Sequence, residues 1–295
     1  MNKDLWLNTL SRRNRIYNSI NLVKKSGHLV LPNNFKLSFN KENAKDIKKL
    51  FAFGLIYGVE FSDKKGYWNY KDNEVKTPNN IRFNIKNFDP LIFSETFLNE
   101  IHFSNFDLNN KIVIQAGGFI GDTALYYASR GAIIYSFEPD FNSYNLALEN
   151  LKLNSELSEK IIMKNYAIGN DGEIDYPLDP NGSEHSSAYD LENKKTVRVK
   201  SVSLSSILKE FSIEAPFLLD LDIKGKEFEI INDEAISKFE MVRIEYTTCI
   251  GNKVIGNRDD IIKRLRDYGF NKIRIFKHNE LVYDLNVHGT IEAVK

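Results

Sequence analysis

Four carboxylates lead the residues whose types and spacing can do chemistry: Asp220, Asp222, Glu227 and Glu245. They fall near the ends of two strongly apolar stretches, and carboxylates that converge raise one another's pKa values. A hydroxyl acceptor needs a base within hydrogen-bond reach, and Asp222 and Glu245 are the candidates for it. The same oxygens would also suit a hard divalent cation. In the plainer alternative, Glu227 caps or solvates a helix and Asp220 points to water.

A second feature is the glycine loop Gln115–Gly121. Gly117, Gly118 and Gly121 let a backbone turn tightly and approach a ligand without Cβ clashes. Glu138 closes the next apolar run, where its carboxylate can accept hydrogen bonds from both hydroxyls of a ribose. Loop and acid together point to a ribose-bearing cofactor. Ala116, Gly118 and Gly121 imitate the dinucleotide fingerprint, so a nicotinamide oxidoreductase is an alternative. No hydride-transfer acid–base pair follows downstream, and Tyr67 with Lys71 has a reductase-like spacing only by chance.

Other reactive residues offer less. None of the five histidines, His28, His102, His185, His278 and His288, pairs at helical ligand spacing, so no zinc site is expected. His185 reads as a solvated loop residue. The lone cysteine, Cys249, has no activating partner in sequence and excludes an intrachain disulfide, which suits a reducing, cytoplasmic setting.

These residues need elements to position them. Lys111–Gln115, Ala132–Phe137, Ile161–Ile168, Phe217–Leu221 and Phe239–Tyr246 read as strands. Asp122–Ser129, Phe141–Leu153, Leu204–Phe211 and Asp259–Tyr268 read as helices between them. Asp171–Tyr176 and Val197–Val202 read as strands flanking a polar loop, 179–193. The alternation implies a mostly parallel sheet covered on both faces, with ligands at the carboxy ends of its strands. Consecutive strands at the end, Ile273–Phe276, Leu281–Leu285 and Thr290–Val294, imply an antiparallel hairpin at one edge.

Residues 1–104 read as a small α+β subdomain without recognisable chemistry, and 105–295 as the main α/β domain. The subdomain holds a hairpin (Leu29–Leu31 with Phe35–Phe39), a helix (Glu42–Phe53) and three short strands (Tyr67–Tyr70, Glu74–Thr77, Ile81–Ile85). Its first segment, Asp4–Lys25, is an amphipathic helix with Trp6, Leu10, Ile16, Tyr17, Ile20 and Val23 near one face, and Gly27 is placed to end it. That apolar face is expected to pack on its own domain. Its basic residues, Arg12, Arg13, Arg15, Lys24 and Lys25, equally suit a membrane surface or a partner.

Across 295 residues, 40 basic and 40 acidic side chains cancel, which argues against a dedicated nucleic-acid binder and leaves a homo-oligomer open. No stretch approaches the roughly 18 apolar residues of a transmembrane helix.

The run Lys111–Thr123 resembles the opening of FkbM-type methyltransferases, an aspartate followed by Gly-Ala-Asn-x-Gly-Asp-Ser/Thr. Phe137-Glu138-Pro139, Asn150-Leu151, Asn154, Ala167-Ile168-Gly169, Val199–Leu208, Leu218–Glu227 and Val242-Arg243-Ile244-Glu245 follow in the family's order. The likeness runs from about residue 81 to 285, closest to archaeal-style members. It implies a class I methyltransferase fold, a Rossmann-like sheet with an antiparallel carboxy-terminal edge. It also implies methyl transfer from S-adenosylmethionine to a hydroxyl of a sugar, glycolipid or small molecule. By position, Gln115, Gly117, Phe119 and Gly121 would line the methionine end of the cofactor, Glu138 would hold the ribose, and Tyr166 and Ala167 would border the adenine. Ser187 would touch the cofactor, and Asp220 would supply a compensating negative charge there. The chain departs from the pattern at Gln115 (aspartate in the family), Phe119 (asparagine), Asp220 (lysine) and Thr247 (often histidine). Those departures make a non-catalytic scaffold on the same fold the second reading.

Overall fold

A computed structural model gives the fold and describes residues 9–102, 105–177, 195–223, 225–277 and 284–295. The chain divides into two units, Met1–Glu100 and Ile101–Lys295.

In the first unit, helix α1 (Arg12–Leu22) starts where the Ser11 side chain accepts a hydrogen bond from the Asn14 amide. Its orientation reverses the expectation from its apolar residues. Asn18 is fully buried, donating to the Val30 carbonyl oxygen and accepting from the Val30 amide, both at 2.8 Å. These bonds fasten the helix to β1 (Gly27–Val30), which pairs antiparallel with β2 (Lys36–Phe39). Burying asparagines that find partners turns the isoleucines outward, and Ile16, Ile20 and Val23 are 57, 53 and 85% exposed. Leu10 alone of the described apolar set is buried. Gly27 opens β1 rather than capping the helix, and residues 4–8 of the expected helix lie outside the described residues.

Helix α2 (Ala44–Ile56) and the antiparallel strands β3 (Asn69–Lys71), β4 (Glu74–Lys76) and β5 (Arg82–Asn84) follow, then α3 (Pro90–Phe97), whose amino end is capped by Asp89. Aromatic rings fill this unit's core. Phe53 meets Trp68 and Phe88 edge-on at 5.2 and 5.1 Å, and Phe83 meets Phe93 at 4.8 Å. Each such pair contributes roughly 0.5–1.5 kcal/mol beyond the area it buries.

The second unit runs β6 (Ile112–Ala116), α4 (Asp122–Ser129), β7 (Ile133–Phe137), α5 (Phe141–Leu153), α6 (Ser155–Ser158), β8 (Ile161–Lys164), β9 (Ala167–Ile168), β10 (Gly172–Pro177), β11 (Thr196–Val202), α7 (Leu204–Glu210), β12 (Leu218–Asp222), α8 (Glu227–Ile230), β13 (Met241–Thr247), β14 (Cys249–Ile250), β15 (Lys253–Val254), α9 (Arg258–Asp267), β16 (Lys272–Phe276) and β17 (His288–Val294). Seven strands form one sheet in the order β16-β17-β13-β12-β6-β7-β8. The run from β13 to β8 is parallel, while β17 is antiparallel to both its neighbours. The expected terminal hairpin therefore has its last strand inserted inside the sheet and β16 at the edge. Most of the expected strand Leu281–Leu285, and the loop 179–193, lie outside the described residues.

One expected strand divides in two. After β8, Asn165 donates to the carbonyl oxygens of Glu138 and Pro139 at 2.8 and 3.0 Å, tying the chain to the end of β7. β9 then leaves the large sheet and pairs with β11 in a separate three-stranded sheet, β10-β11-β9.

Alternation along the strands gives the large sheet two different faces. Ile114, Ala116, Leu219, Leu221, Val242, Ile244, Ile291 and Ala293 belong to one apolar core together with Ile207 and Leu208 of α7 and Ile261 and Leu265 of α9. On the other face, strand register sets Ser136, Gln115, Asp220, Arg243 and Glu292 side by side in a polar row.

Candidate active site

The glycine loop joins β6 to α4 at the carboxy end of the sheet. Gly117 has φ +87°, and a Cβ there would lie 2.0 Å from the Asp222 carbonyl oxygen. A Cβ on Gly118 would meet Ser136 Oγ at 2.5 Å and Met163 Cε at 2.6 Å. The backbone of Asp222 thus already requires a glycine at 117, whereas a Cβ at 118 would displace side-chain ends. Gly121, at φ +78°, lets α4 pack against Ala147 of α5. Phe119 holds φ +40°, a left-handed conformation that favours glycine or asparagine. Its amide donates to Glu138 Oε2 at 2.8 Å, which pins the strained residue in place.

Glu138 is buried at the end of β7, and its other oxygen accepts the Asp140 amide at 2.7 Å. Burial pushes this carboxyl up to about 7, with the charges of Asp140 and Asp222 adding to the rise against the pull of the two amides. Each oxygen keeps a second lone pair for a ligand hydroxyl. Tyr176 of β10, which the sequence did not single out, is close enough that burial and the charges of Glu138 and Asp140 raise its phenol.

Asp220 does not face water, the plainer alternative for it. It is fully buried, accepting from Arg243 Nη1 at 2.7 Å and from the Tyr127 hydroxyl at 2.8 Å, with His102 Nδ1 at 3.4 Å. Burial alone would raise this carboxyl, but Arg243 and His102 hold it well below the usual carboxylate range. Gln115, next to it in register, is also buried, and its Oε1 accepts from the Ser136 hydroxyl at 2.8 Å. Both side chains belong to the polar row beneath the loop.

One step further along the strands, Asp222 and Glu245 stand side by side in register. Burial, then the charge of Glu245, pushes Asp222 up to about 7. Glu227 is fully buried, which contradicts the plainer alternative that it solvates a helix. Its Oε1 accepts the Thr247 amide at 2.8 Å, and its Oε2 has no hydrogen-bond partner among the described residues. Burial and the nearby Glu245 raise it to about 8 against the amides of Thr247, Glu227 and Gly225. Among the described residues, no group of three or more His, Cys, Asp or Glu side chains is placed to hold a metal ion.

His288 was also missed. β17 places it opposite Thr247, so an imidazole from the adjacent strand reaches the position where the family pattern often has histidine. Its Nε2 lies 3.6 Å from Glu245 Oε1, and its Nδ1 lies 2.9 Å from the Tyr246 carbonyl oxygen and 2.8 Å from Thr247 Oγ1. A carbonyl only accepts, so the bond to Tyr246 puts a proton on Nδ1 and turns Nε2 toward the carboxylate.

Tyr166 is half-buried under the Lys200 ammonium, 4.2 Å from its ring centroid, and Ala167 is buried in β9. Ser187 and His185 lie outside the described residues. Cys249 is a half-buried free thiol.

A parallel sheet with β17 inserted antiparallel, a glycine loop after its first strand and an acid after its second define a class I methyltransferase. The model of the methyltransferase FkbM domain matches residues 115–272, and the chain belongs to that family. S-adenosylmethionine is the cofactor of this assignment, and the residues present fit it: Glu138 is tied to the loop through the Phe119 amide, and Asp222, whose backbone carbonyl abuts Gly117, stands beside Glu245. No curated protein sequence matches the chain. Solved structures resemble it distantly. The amino-terminal domain of human METTL16, in complex with SAH, is 12% identical at TM-score 0.41, over 97% of this chain and 98% of that one. Fibrillarin of Aeropyrum pernix, with natively bound S-adenosyl-L-methionine, is 12% identical at TM-score 0.40, over 69% and 74%.

Proposed function

We propose that this methyltransferase acts on a hydroxyl of a sugar, glycolipid or other small molecule, with Asp222 and Glu245 as its base. The observation that carries the reading is their adjacency at the strand ends, with His288 against Glu245 and the glycine loop against the Asp222 backbone. S-adenosylmethionine supplies a methyl group already activated on a sulfonium. The protein's part is to orient the acceptor, exclude water and receive the hydroxyl proton as the O–CH3 bond forms. A carboxylate raised to about 7 is mostly ionised at slightly alkaline pH and more basic than an ordinary aspartate. His288 Nε2, 3.6 Å from Glu245 Oε1, is placed to orient that carboxylate. A single half-buried thiol fits a reducing, cytoplasmic setting.

Calorimetry with S-adenosylmethionine, followed by detection of S-adenosylhomocysteine with a panel of glycans and hydroxylated small molecules, tests the proposal. Asp222→Asn and Glu245→Gln are expected to lower kcat by roughly 10²–10⁴-fold while leaving cofactor affinity within a few-fold. In the wild type kcat/KM should fall as pH drops below about 7, and Asp222→Asn should remove that ionisation. Cofactor binding without turnover on any hydroxyl, or variants with full activity, overturns the base assignment. Failure to bind the cofactor would leave a scaffold on the same fold.

A further inference from the structure

The orientation of α1 is the feature that the methyltransferase reading leaves unused. A soluble helix normally turns its apolar side to the core, and this one does the opposite. Asn18 and Asn21 face inward at 0 and 5% exposure, and the two Asn18 bonds to Val30 fix that orientation. Ile16, Ile20 and Val23, spaced four and three residues apart, project from one side of the helix, with Tyr17 also exposed. At 100° per residue, Arg12 and Arg13 flank that stripe, Lys24 follows directly after the helix end, and all three are exposed. The result is an apolar ridge bordered by positive charge on a helix whose register is locked.

We propose that α1 docks this face on an anionic lipid surface. Three aliphatic side chains enter the headgroup–acyl boundary while the flanking cations meet lipid phosphates. A second copy of the chain fits less well, because a two-fold contact through this face would bring the same positively charged rim together from both copies. An anionic bilayer supplies the apolar phase and the opposite charge together.

Sedimentation of the full chain with vesicles of mixed phosphatidylglycerol and phosphatidylcholine, compared with phosphatidylcholine alone, tests this. The wild type is expected to bind the anionic vesicles, and about 0.5 M salt should weaken that binding. Ile16→Asp with Ile20→Asp should reduce affinity at least tenfold, and Arg12→Gln with Arg13→Gln by roughly fivefold per charge removed. Thermal unfolding of both variants should match the wild type, since all four positions are exposed. No binding to anionic vesicles overturns the proposal, as does equal binding by the Ile16→Asp/Ile20→Asp variant. A vesicle-free dimer that the same pair dissociates also overturns it, assigning the face to a second copy.

Discussion

At the residue scale, the glycine loop shows that one sequence feature can have two causes. Gly117 reads in sequence as room for a ligand, yet its missing Cβ is demanded by the Asp222 carbonyl 2.0 Å away and by its φ of +87°. Gly117→Ala should therefore destabilise the protein by about 3 kcal/mol or more, since overpacking and an incompatible φ act together. A fall in the urea midpoint would show it, and an unchanged midpoint would mean the loop and β12 are not packed as described. The raised acids make a separate prediction. Glu138, Asp222 and Glu227 stand at about 7, 7 and 8, above ordinary values of 4.5, 3.8 and 4.5. A carboxyl whose folded pKa is raised stabilises the protein fully below its unfolded value and loses that contribution as pH rises through the folded one. The cofactor-free unfolding temperature should therefore fall between about pH 5 and pH 8, and Glu227→Gln should flatten the slope. A slope unchanged in that variant would place the Glu227 titration elsewhere.

At the scale of elements, the polar row explains two departures from the family pattern together. Gln115 and Asp220 are register neighbours, so the pattern's aspartate and lysine would stand beside each other as an ion pair. Here the acid is on β12, its cation Arg243 is on β13, and a neutral glutamine avoids setting two carboxylates side by side. Asp220→Asn should cost about 3–5 kcal/mol in denaturant unfolding, because it leaves Arg243 buried without its counter-charge. Asp220→Leu with Arg243→Met should recover most of that loss, and a double variant as unstable as the single one would refute the pairing. The strands and helices from β6 to α5 were legible because their periodicity and punctuation are local. The same holds for Glu138, which ends an apolar run. What was not legible depends on distant partners: Asn165 tied to Glu138 and Pro139 ends β8, Asn18 tied to Val30 turns α1 over, and Arg243 makes a buried Asp220 tolerable. His288 next to Glu245 follows only once β17 is known to run antiparallel beside β13.

At the scale of the whole molecule, family, fold and strand-end acids agree on a methyltransferase, and no helix among the described residues is long and apolar enough to cross a membrane. The insertion of β17 also bears on how the site comes into being. Among the described residues β16 pairs only with β17, and β17 bridges it to β13, so there the edge strand joins the sheet through β17. Pairings between segments far apart in sequence form slowly, because loop closure precedes their reward. His288 and Glu245 meet through that pairing, so during refolding the Glu245–His288 corner should be completed after the parallel core has collapsed. Recovery of activity should then lag recovery of the core's spectroscopic signal, making turnover the reporter of the last step of folding.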